Sequence, residues 1–330
     1  MTAPLVDGLG RVHTKLRVSV TDRCNLRCTY CMPAEGAVFM PRGKLLTFEE
    51  IARVVAALAP AGVRRVRLTG GEPLVRTGVS DLAAMVAAVP GVEQVGLTTN
   101  ALLLPKFAGD LREAGVTHVN ISLDALDAEA FERVTRRDDF DRTMDGVDAA
   151  LAAGFPSVKL NAVSMRGLTE DQLIPFAEFA RETGLEVRFI EYMPLDADAA
   201  WERDKVLFAA DIIERLSDVY GPMRPLGEPG PAPATRYAFA DGRGSIGVIP
   251  SVSEPFCGHC DRFRLTADGK LRACLFSLDE TDVRGIVRGG GSDADVLAAA
   301  RDCVAGKWAG HRINLEDFRQ PSRPMHSIGG

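Results

Sequence analysis

Short apolar-alternating runs take turns with longer stretches of helical periodicity along the first two-thirds of the chain. LRVSV (16–20), RRVRLT (64–69), QVGLTT (94–99), HVNISLDA (118–125), SVKLNAV (157–163) and EVRFIEYM (186–193) read as strands. Between them, TFEEIARVVAALAPAG (47–62), SDLAAMVAAV (80–89), LPKFAGDLREAG (104–115), the patterns over 127–135 and 141–153, and TEDQLIPFAEFARETG (169–184) read as helices. Thr47 and Glu50 form a capping box at the first helix, and Gly62 stands near its stop. Six strand–helix alternations predict parallel strands with right-handed crossovers, in an open doubly wound sheet or a barrel-like α/β sheet.

The rhythm breaks after residue 193. RPLGEPGPAPAT (224–235) is rich in Pro and Gly and reads as a linker. RYAFA and SIGVIP flank DGRG, and DRFRLT and KLRACLF flank ADG, which predicts two hairpins. A helical pattern follows over 293–306. The expected organisation is a βα-repeat domain over 1–223, a linker over 224–235 and a smaller mixed appendage over 236–330.

The strand faces are unusual. Period-2 reading puts Arg17, Ser19 and Thr21 opposite Val18 and Val20, and Arg65, Arg67 and Thr69 opposite Val66 and Leu68. Later strands place Thr98 and Asn100, then Asn120, Ser122 and Asp124, then Lys159 and Asn161, then Arg188 on the polar side. The apolar side must bury against helices, so the polar side lines the interior. Isolated buried cations cost several kcal/mol each. A converging set predicts a polyanion, and phosphate suits the guanidinium fork. Arg262 and Arg264 share a face of DRFRLT and join the set.

Bulk composition mainly excludes. The 330 residues are 46% hydrophobic, enough for one large domain or two smaller ones. A net charge of −6 gives no global basic field for nucleic acid or an anionic membrane. MTAPLVDGLGRVHTK lacks an apolar h-region, and no apolar run is long enough to span a bilayer, so a cytoplasmic protein is expected. Six of the seven cysteines lie in two groups, which favours thiolate chemistry over disulfides.

Cys24, Cys28 and Cys31 are spaced C-x3-C-x2-C, and Cys257, Cys260 and Cys274 are spaced C-x2-C-x13-C. A closed zinc site takes four ligands. His259 is a candidate fourth ligand for the second group, and Asp22 is the nearest for the first. An iron–sulfur cube held by three thiolates instead leaves one iron open to a small molecule. Cys303 in VLAAARDCVAG reads as a small apolar side chain on a helix face.

The first triplet has Tyr30 just before its last cysteine, and TGGEP (69–73) follows one strand later. Gly70 and Gly71 allow close approach of backbone to a ligand, and Pro73 stiffens the exit. Together these motifs resemble the signature of the radical S-adenosylmethionine (SAM) enzymes. The resemblance implies a partial (βα)6 barrel whose open cluster iron takes the methionine end of the cofactor. It further implies reductive release of a 5′-deoxyadenosyl radical that abstracts hydrogen from the substrate. RLTGGEPLVR, LTTNALLL, NISLDA, VKLNAV, RFIEYMP, CGHCDRFRLTADGKLRACLF and the final IGG narrow the resemblance, from about Lys15 to Gly330, to a branch acting on GTP at the opening of molybdenum-cofactor biosynthesis.

That narrower resemblance implies roles for individual residues. Cys24, Cys28 and Cys31 would hold a 4Fe–4S cluster, and Tyr30, Gly71, Ser122 and Met193 would line the SAM pocket. Cys257, Cys260 and Cys274 would hold a second 4Fe–4S cluster whose open iron takes guanine. Arg17, Arg67, Thr98, Lys159, Arg262 and Arg264 would bind GTP, with Arg65 and Arg188 as additions, and Arg17 would assist the closing electron-and-proton step. The implied partners are GTP, a cellular electron donor and a cyclic pyranopterin monophosphate synthase that takes the product; homodimers are common in such families. Gly329-Gly330 matches a tail thought to reach the active site, and Ala101 stands where Gly is usual. The alternative is a peptide-modifying radical SAM enzyme with an auxiliary cluster, against which the basic inner faces argue.

Overall fold

The computed structural model describes residues 2–227 and 232–330. Strands β1 (Lys15–Ser19), β2 (Arg65–Thr69), β3 (Gln94–Thr99), β4 (Val116–Ser122), β5 (Ser157–Ser164) and β6 (Glu186–Glu191) lie side by side in chain order. All five pairings between them are parallel. Helices α1 (Phe48–Leu58), α2 (Val79–Ala87), α3 (Leu104–Glu113), α4 (Ala128–Thr135), α5 (Phe140–Ala152) and α6 (Leu173–Thr183) fill the crossovers. This is the partial (βα)6 barrel that the radical SAM resemblance implies, the barrel-like one of the two arrangements that the alternation leaves open.

Local chemistry explains the elements. Thr47 and Glu50 close a capping box on α1, whose Ile51, Val54, Val55 and Leu58 recur at helical spacing and are buried. Gly62 ends the following turn at φ +102, in the region that favours glycine. Val18, Leu68, Leu97, Ile121, Leu160 and Phe189 on the outward strand faces join the buried side chains of these helices in one core. Burying such side chains contributes roughly 1.5–3 kcal/mol each. The inward faces are left to the polar residues.

The remaining strands extend both edges of that sheet. Helix α7 (Ala209–Tyr220) leads into β7 (Arg224–Leu226), β8 (Thr235–Ala238) and β9 (Ser245–Ile249), and β9 runs parallel to β6. The chain then crosses to the other edge, where β10 (Arg262–Leu265) pairs parallel with β1 in the register Arg17↔Arg264. β11 (Lys270–Arg272) and β12 (Thr281–Asp282) continue outward, giving, among the described residues, twelve strands in the order β12-β11-β10-β1-β2-β3-β4-β5-β6-β9-β8-β7. Helices α8 (Val283–Arg288), α9 (Asp293–Ala305) and α10 (Met325–Ile328) complete the chain.

Some boundaries differ from the sequence reading. The stretch read as linker contributes β7, paired antiparallel with β8, because both can hydrogen-bond an exposed sheet edge; residues 228–231 of that stretch lie outside the described residues. Helix α7 was not anticipated, although Ile212, Leu216 and Tyr220 recur at helical spacing. Both expected hairpins form. Among the described residues, no helix is long and apolar enough to cross a membrane.

Candidate active site

The cysteine loop leaves β1 at its C-terminal end and is stitched to the loop after β2. Gly71 N–H donates to the Thr21 carbonyl (2.7 Å) and Glu72 N–H to the Arg23 carbonyl (2.8 Å). A Cβ on Gly71 would stand 2.3 Å from the Arg23 carbonyl oxygen, and one on Gly70 would stand 2.5 Å from that of Thr21. The glycines thus serve a backbone-on-backbone contact that places the TGGEP loop against the cysteine loop. Glu72 is buried and accepts from Leu74 N–H (3.0 Å), Thr99 Oγ1 (2.7 Å) and Asn100 N–H (2.7 Å). Burial outweighs these donors and pushes its carboxyl up to about 7.

Cys24, Cys28 and Cys31 are free thiols on the wall of one cavity of about 300 Å³. Tyr30, Gly71, Ser122 and Met193 line the same cavity. Burial pushes the Cys24 thiol up to about 11 and raises those of Cys28 and Cys31. Negative charge on Asp124 and on the other two cysteines raises Cys28 further. Three thiols that oppose one another's ionisation in a desolvated place suit a cationic partner that converts them to thiolates. Asn25 and Asn100 stand behind Cys24, with Asn100 Nδ2 2.7 Å from Asn25 Oδ1 and 3.8 Å from the Cys24 sulfur. Tyr30 donates its hydroxyl to Asp124 (2.7 Å), whose carboxyl burial pushes up to about 6.

Cys257, Cys260 and Cys274 line the same cavity from its other end, since Cys260 precedes the N-terminal end of β10 whereas Cys24 follows the C-terminal end of β1. His259 is exposed and does not face the cavity. The Asp22 carboxylate accepts from Met40 N–H (2.6 Å), away from the first triplet's cavity wall. The two alternative ligands weighed from sequence are therefore both turned aside. Burial alone would raise Cys260, but Arg262 and Lys307 outweigh it and bring the thiol down to about 7. Cys257 is raised by burial.

Between the triplets runs a line of cations. Arg17, Arg262 and Arg264 line the cavity with Thr98. Burial, then repulsion from Arg264, Arg262 and Arg67, depresses Arg17 well below the usual guanidinium range. Burial brings Arg264 and Arg67 to about 10, with Arg188 adding to the effect on Arg67. A guanidinium keeps its proton at neutral pH, so the set gathers buried positive charge that an anion would offset. Among the described residues, none of Arg17, Arg67, Arg262 and Arg264 has a carboxylate within salt-bridge distance. One buried Arg262 nitrogen, Nη2, has no hydrogen-bond partner among the described residues.

Matches to known proteins agree with this geometry. Residues 18–180 match the Radical SAM superfamily model and residues 185–313 match Molybdenum Cofactor Synthesis C. A GTP 3′,8-cyclase of Rhodopirellula baltica is 49% identical, covering 100% of this chain and 94% of the relative. A GTP 3′,8-cyclase of Mycolicibacterium smegmatis is 48% identical, covering 99% of this chain and 92% of the relative. The chain belongs to the GTP 3′,8-cyclase family of radical SAM enzymes. A SuiB structure from Streptococcus suis, bound to S-adenosylmethionine, shares the fold at a TM-score of 0.62 and 14% identity, over 96% of this chain and 77% of that one. Membership of the superfamily implies a 4Fe–4S cluster and SAM, and the first triplet's donor set fits that cluster.

Not every expected residue of this GTP 3′,8-cyclase family member reaches the cavity wall. Arg65, Arg67, Lys159 and Arg188 continue the inner face toward the N-terminal ends of the strands. Gly96 and Gly247 make room there: a Cβ on Gly96 would stand 3.0 Å from the Arg67 guanidinium, and one on Gly247 would stand 2.9 Å from Arg188 Cγ. Lys159 Nζ (2.9 Å) and Arg188 Nε (2.5 Å) already share the Glu186 carboxylate, which Arg236 also approaches (3.3 Å). Both cations thus have a protein counter-charge, which strand alternation does not show: Glu186 lies in the row of Lys159 on the neighbouring strand. Sequence reasoning also gave no role to Glu72 or Asp124, although both stand inside quoted motifs, and none to Arg11 or Lys307, which no motif marks.

The chain's end lies in the same cavity. Thr69 Oγ1 donates to the Gly330 carbonyl (2.6 Å), and Arg264 donates to the Gly329 carbonyl. Gly329 takes φ +92, and a Cβ there would stand 2.8 Å from Ser19 Cβ. Both facts demand glycine.

Proposed function

We propose that the chain converts GTP to 3′,8-cyclo-7,8-dihydro-GTP, the opening step of molybdenum-cofactor biosynthesis. The observation that carries this reading is one cavity with three thiols at each end and, between them, guanidinium groups that have no carboxylate partner among the described residues. Cys24, Cys28 and Cys31 would hold the SAM-binding cluster, and Cys257, Cys260 and Cys274 a second 4Fe–4S cluster that receives guanine. When bound, these groups supply one-electron reduction and a hydrogen-abstracting radical.

The chain's own residues supply binding, orientation and exclusion of water. Arg17, Arg67, Arg262 and Arg264 hold the triphosphate by charge-assisted hydrogen bonds, and Thr98, Lys159, Arg65 and Arg188 extend that hold. Fixing both ends of the nucleotide brings its ribose and base into one rigid pose, which is where positioning lowers the barrier to ring closure. Tyr30, Gly71, Ser122 and Met193 seat the SAM. Arg17, which lines the cavity, would assist the closing electron-and-proton step. Handover of the product to a cyclic pyranopterin monophosphate synthase, a cellular electron donor, a homodimeric assembly and a cytoplasmic setting complete the proposal. That Arg17, Arg262 and Arg264 on the cavity wall have no carboxylate partner among the described residues favours this over a peptide substrate.

Anaerobic turnover with GTP deuterated at ribose carbon 3′ tests the reading. Deuterium should appear in 5′-deoxyadenosine. Unlabelled deoxyadenosine, or release stimulated by a peptide and not by GTP, would overturn it.

A further inference from the structure

Lys307 is a buried ammonium with no carboxylate partner among the described residues. It follows α9 directly and is 7% exposed. Its Nζ donates to the Arg262 carbonyl (2.5 Å) and stands 3.4 Å from the Cys260 carbonyl and 3.2 Å from the Cys260 sulfur. Among the described residues no Asp or Glu lies within salt-bridge distance of it; Asp7, the nearby acid of the N-terminal segment, is taken by Arg11 (2.6 Å) and His13 (3.1 Å). A buried ammonium without an anion costs several kcal/mol. The one acidic group its nitrogen touches is the Cys260 thiol.

The site is built rather than incidental. Arg11 donates to the Cys257 carbonyl (2.7 Å), to the Trp308 carbonyl (2.6 Å) and to the Ala309 carbonyl (3.1 Å). One side chain therefore ties the loop carrying Cys257 to the residues just after Lys307. A cation held this firmly against one sulfur of a cluster lowers the energy of added negative charge there, and hydrogen bonds and net charge at the sulfurs are what set cluster potentials. Among the described residues no cation donates to a sulfur of the first triplet: the Cys24 sulfur receives the Leu26 N–H (3.4 Å) and the Asn100 amide at 3.8 Å, while Arg27 reaches the Cys24 carbonyl (2.8 Å) and not the sulfur.

We propose that Lys307 is a positioning residue that raises the reduction potential of the second cluster through its contact with Cys260, so that the two ends of the cavity differ in how readily they take an electron. This rests on the two-cluster reading above. The test is an EPR-monitored redox titration of the full chain carrying both clusters, with the first signal identified by its response to added SAM. In Lys307→Met the second midpoint should move to more negative potential while the first stays in place, and Lys307→Arg should restore it. An unmoved second midpoint in Lys307→Met, with iron content unchanged, overturns the proposal. Should Lys307→Met lose the second cluster, Lys307→Gln is titrated instead, and an unmoved midpoint there overturns it equally. Wild-type protein that binds only about four irons, not about eight, removes the second cluster itself and so overturns both readings, which separates that failure from a failure of Lys307 alone.

Discussion

Gly329 shows how narrowly a single position can be constrained. Its positive φ and its contact with Ser19 leave no space for a methyl group, and the carbonyls on either side of its far peptide bond are held by Arg264 and Thr69. Gly329→Ala should expel the tail from the cavity, lower turnover at least tenfold and destabilise the fold by about 1–3 kcal/mol, because Gly329 is buried beside the buried Ile328 and its positive φ disfavours a side chain. A steady-state assay beside a melting curve checks this; full activity would show that the tail's seat is dispensable. Glu72 makes a pH prediction. Its ordinary value of 4.5 rises to about 7 in the fold, so the folded chain keeps a proton that the unfolded chain has released. Its contribution is fully present below about pH 4.5 and is lost as pH rises through about 7, a change of about 3 kcal/mol. In Glu72→Gln, denaturation of the metal-free chain at pH 5 and pH 7.5 should show a flatter dependence by that amount; an unaltered slope would count against the assignment.

At the scale of elements, the loop after β3 and helix α5 meet without a gap. Ala101 takes φ +66, the conformation that favours glycine, which fits its standing where a glycine is usual. Its carbonyl accepts from Leu104 N–H (2.8 Å), and a Cβ on Gly146 of α5 would stand 2.2 Å from that same oxygen. Gly146→Ala should therefore destabilise the protein by about 1–3 kcal/mol, despite alanine's better helix propensity, because the helix must back away from a fixed carbonyl. A lowered melting temperature is the expected readout, and an unchanged one would mean that α5 shifts freely.

For the whole molecule, the decisive feature is that the last third of the chain completes the sheet made by the first two-thirds. β10 beside β1 brings Arg262 and Arg264 into the rows of Lys15 and Arg17 and sets the second triplet at the far end of the cavity. Anaerobically reconstituted protein should bind about eight irons, and joint replacement of Cys257, Cys260 and Cys274 by Ala should leave about four with SAM binding intact. Two zincs and a colourless protein would refute this. Much of this was legible beforehand. The six βα units were readable because each buries an apolar face at its own period, and the triplets were readable because their spacing is local. α7 carried the same kind of signal, unread because it follows the last of the repeating strands, while β7 hid in a stretch whose Pro and Gly mask edge pairing.

Residue order alone fixed the βα repeat, the two three-thiol sets and the polar inner faces, since each depends on neighbours within a few residues or on strand alternation. Only the tertiary structure decided that both sets open onto one cavity, that Glu186 shares Lys159 and Arg188, that the last two glycines lie against Thr69 and Arg264, and that Lys307 meets Cys260. Apart from Glu186 and Arg188, which stand two residues apart on one strand, those contacts join residues from 27 to 261 positions apart, and pairing over such distances is set by which sheet edge a late strand joins, a choice that no local pattern encodes.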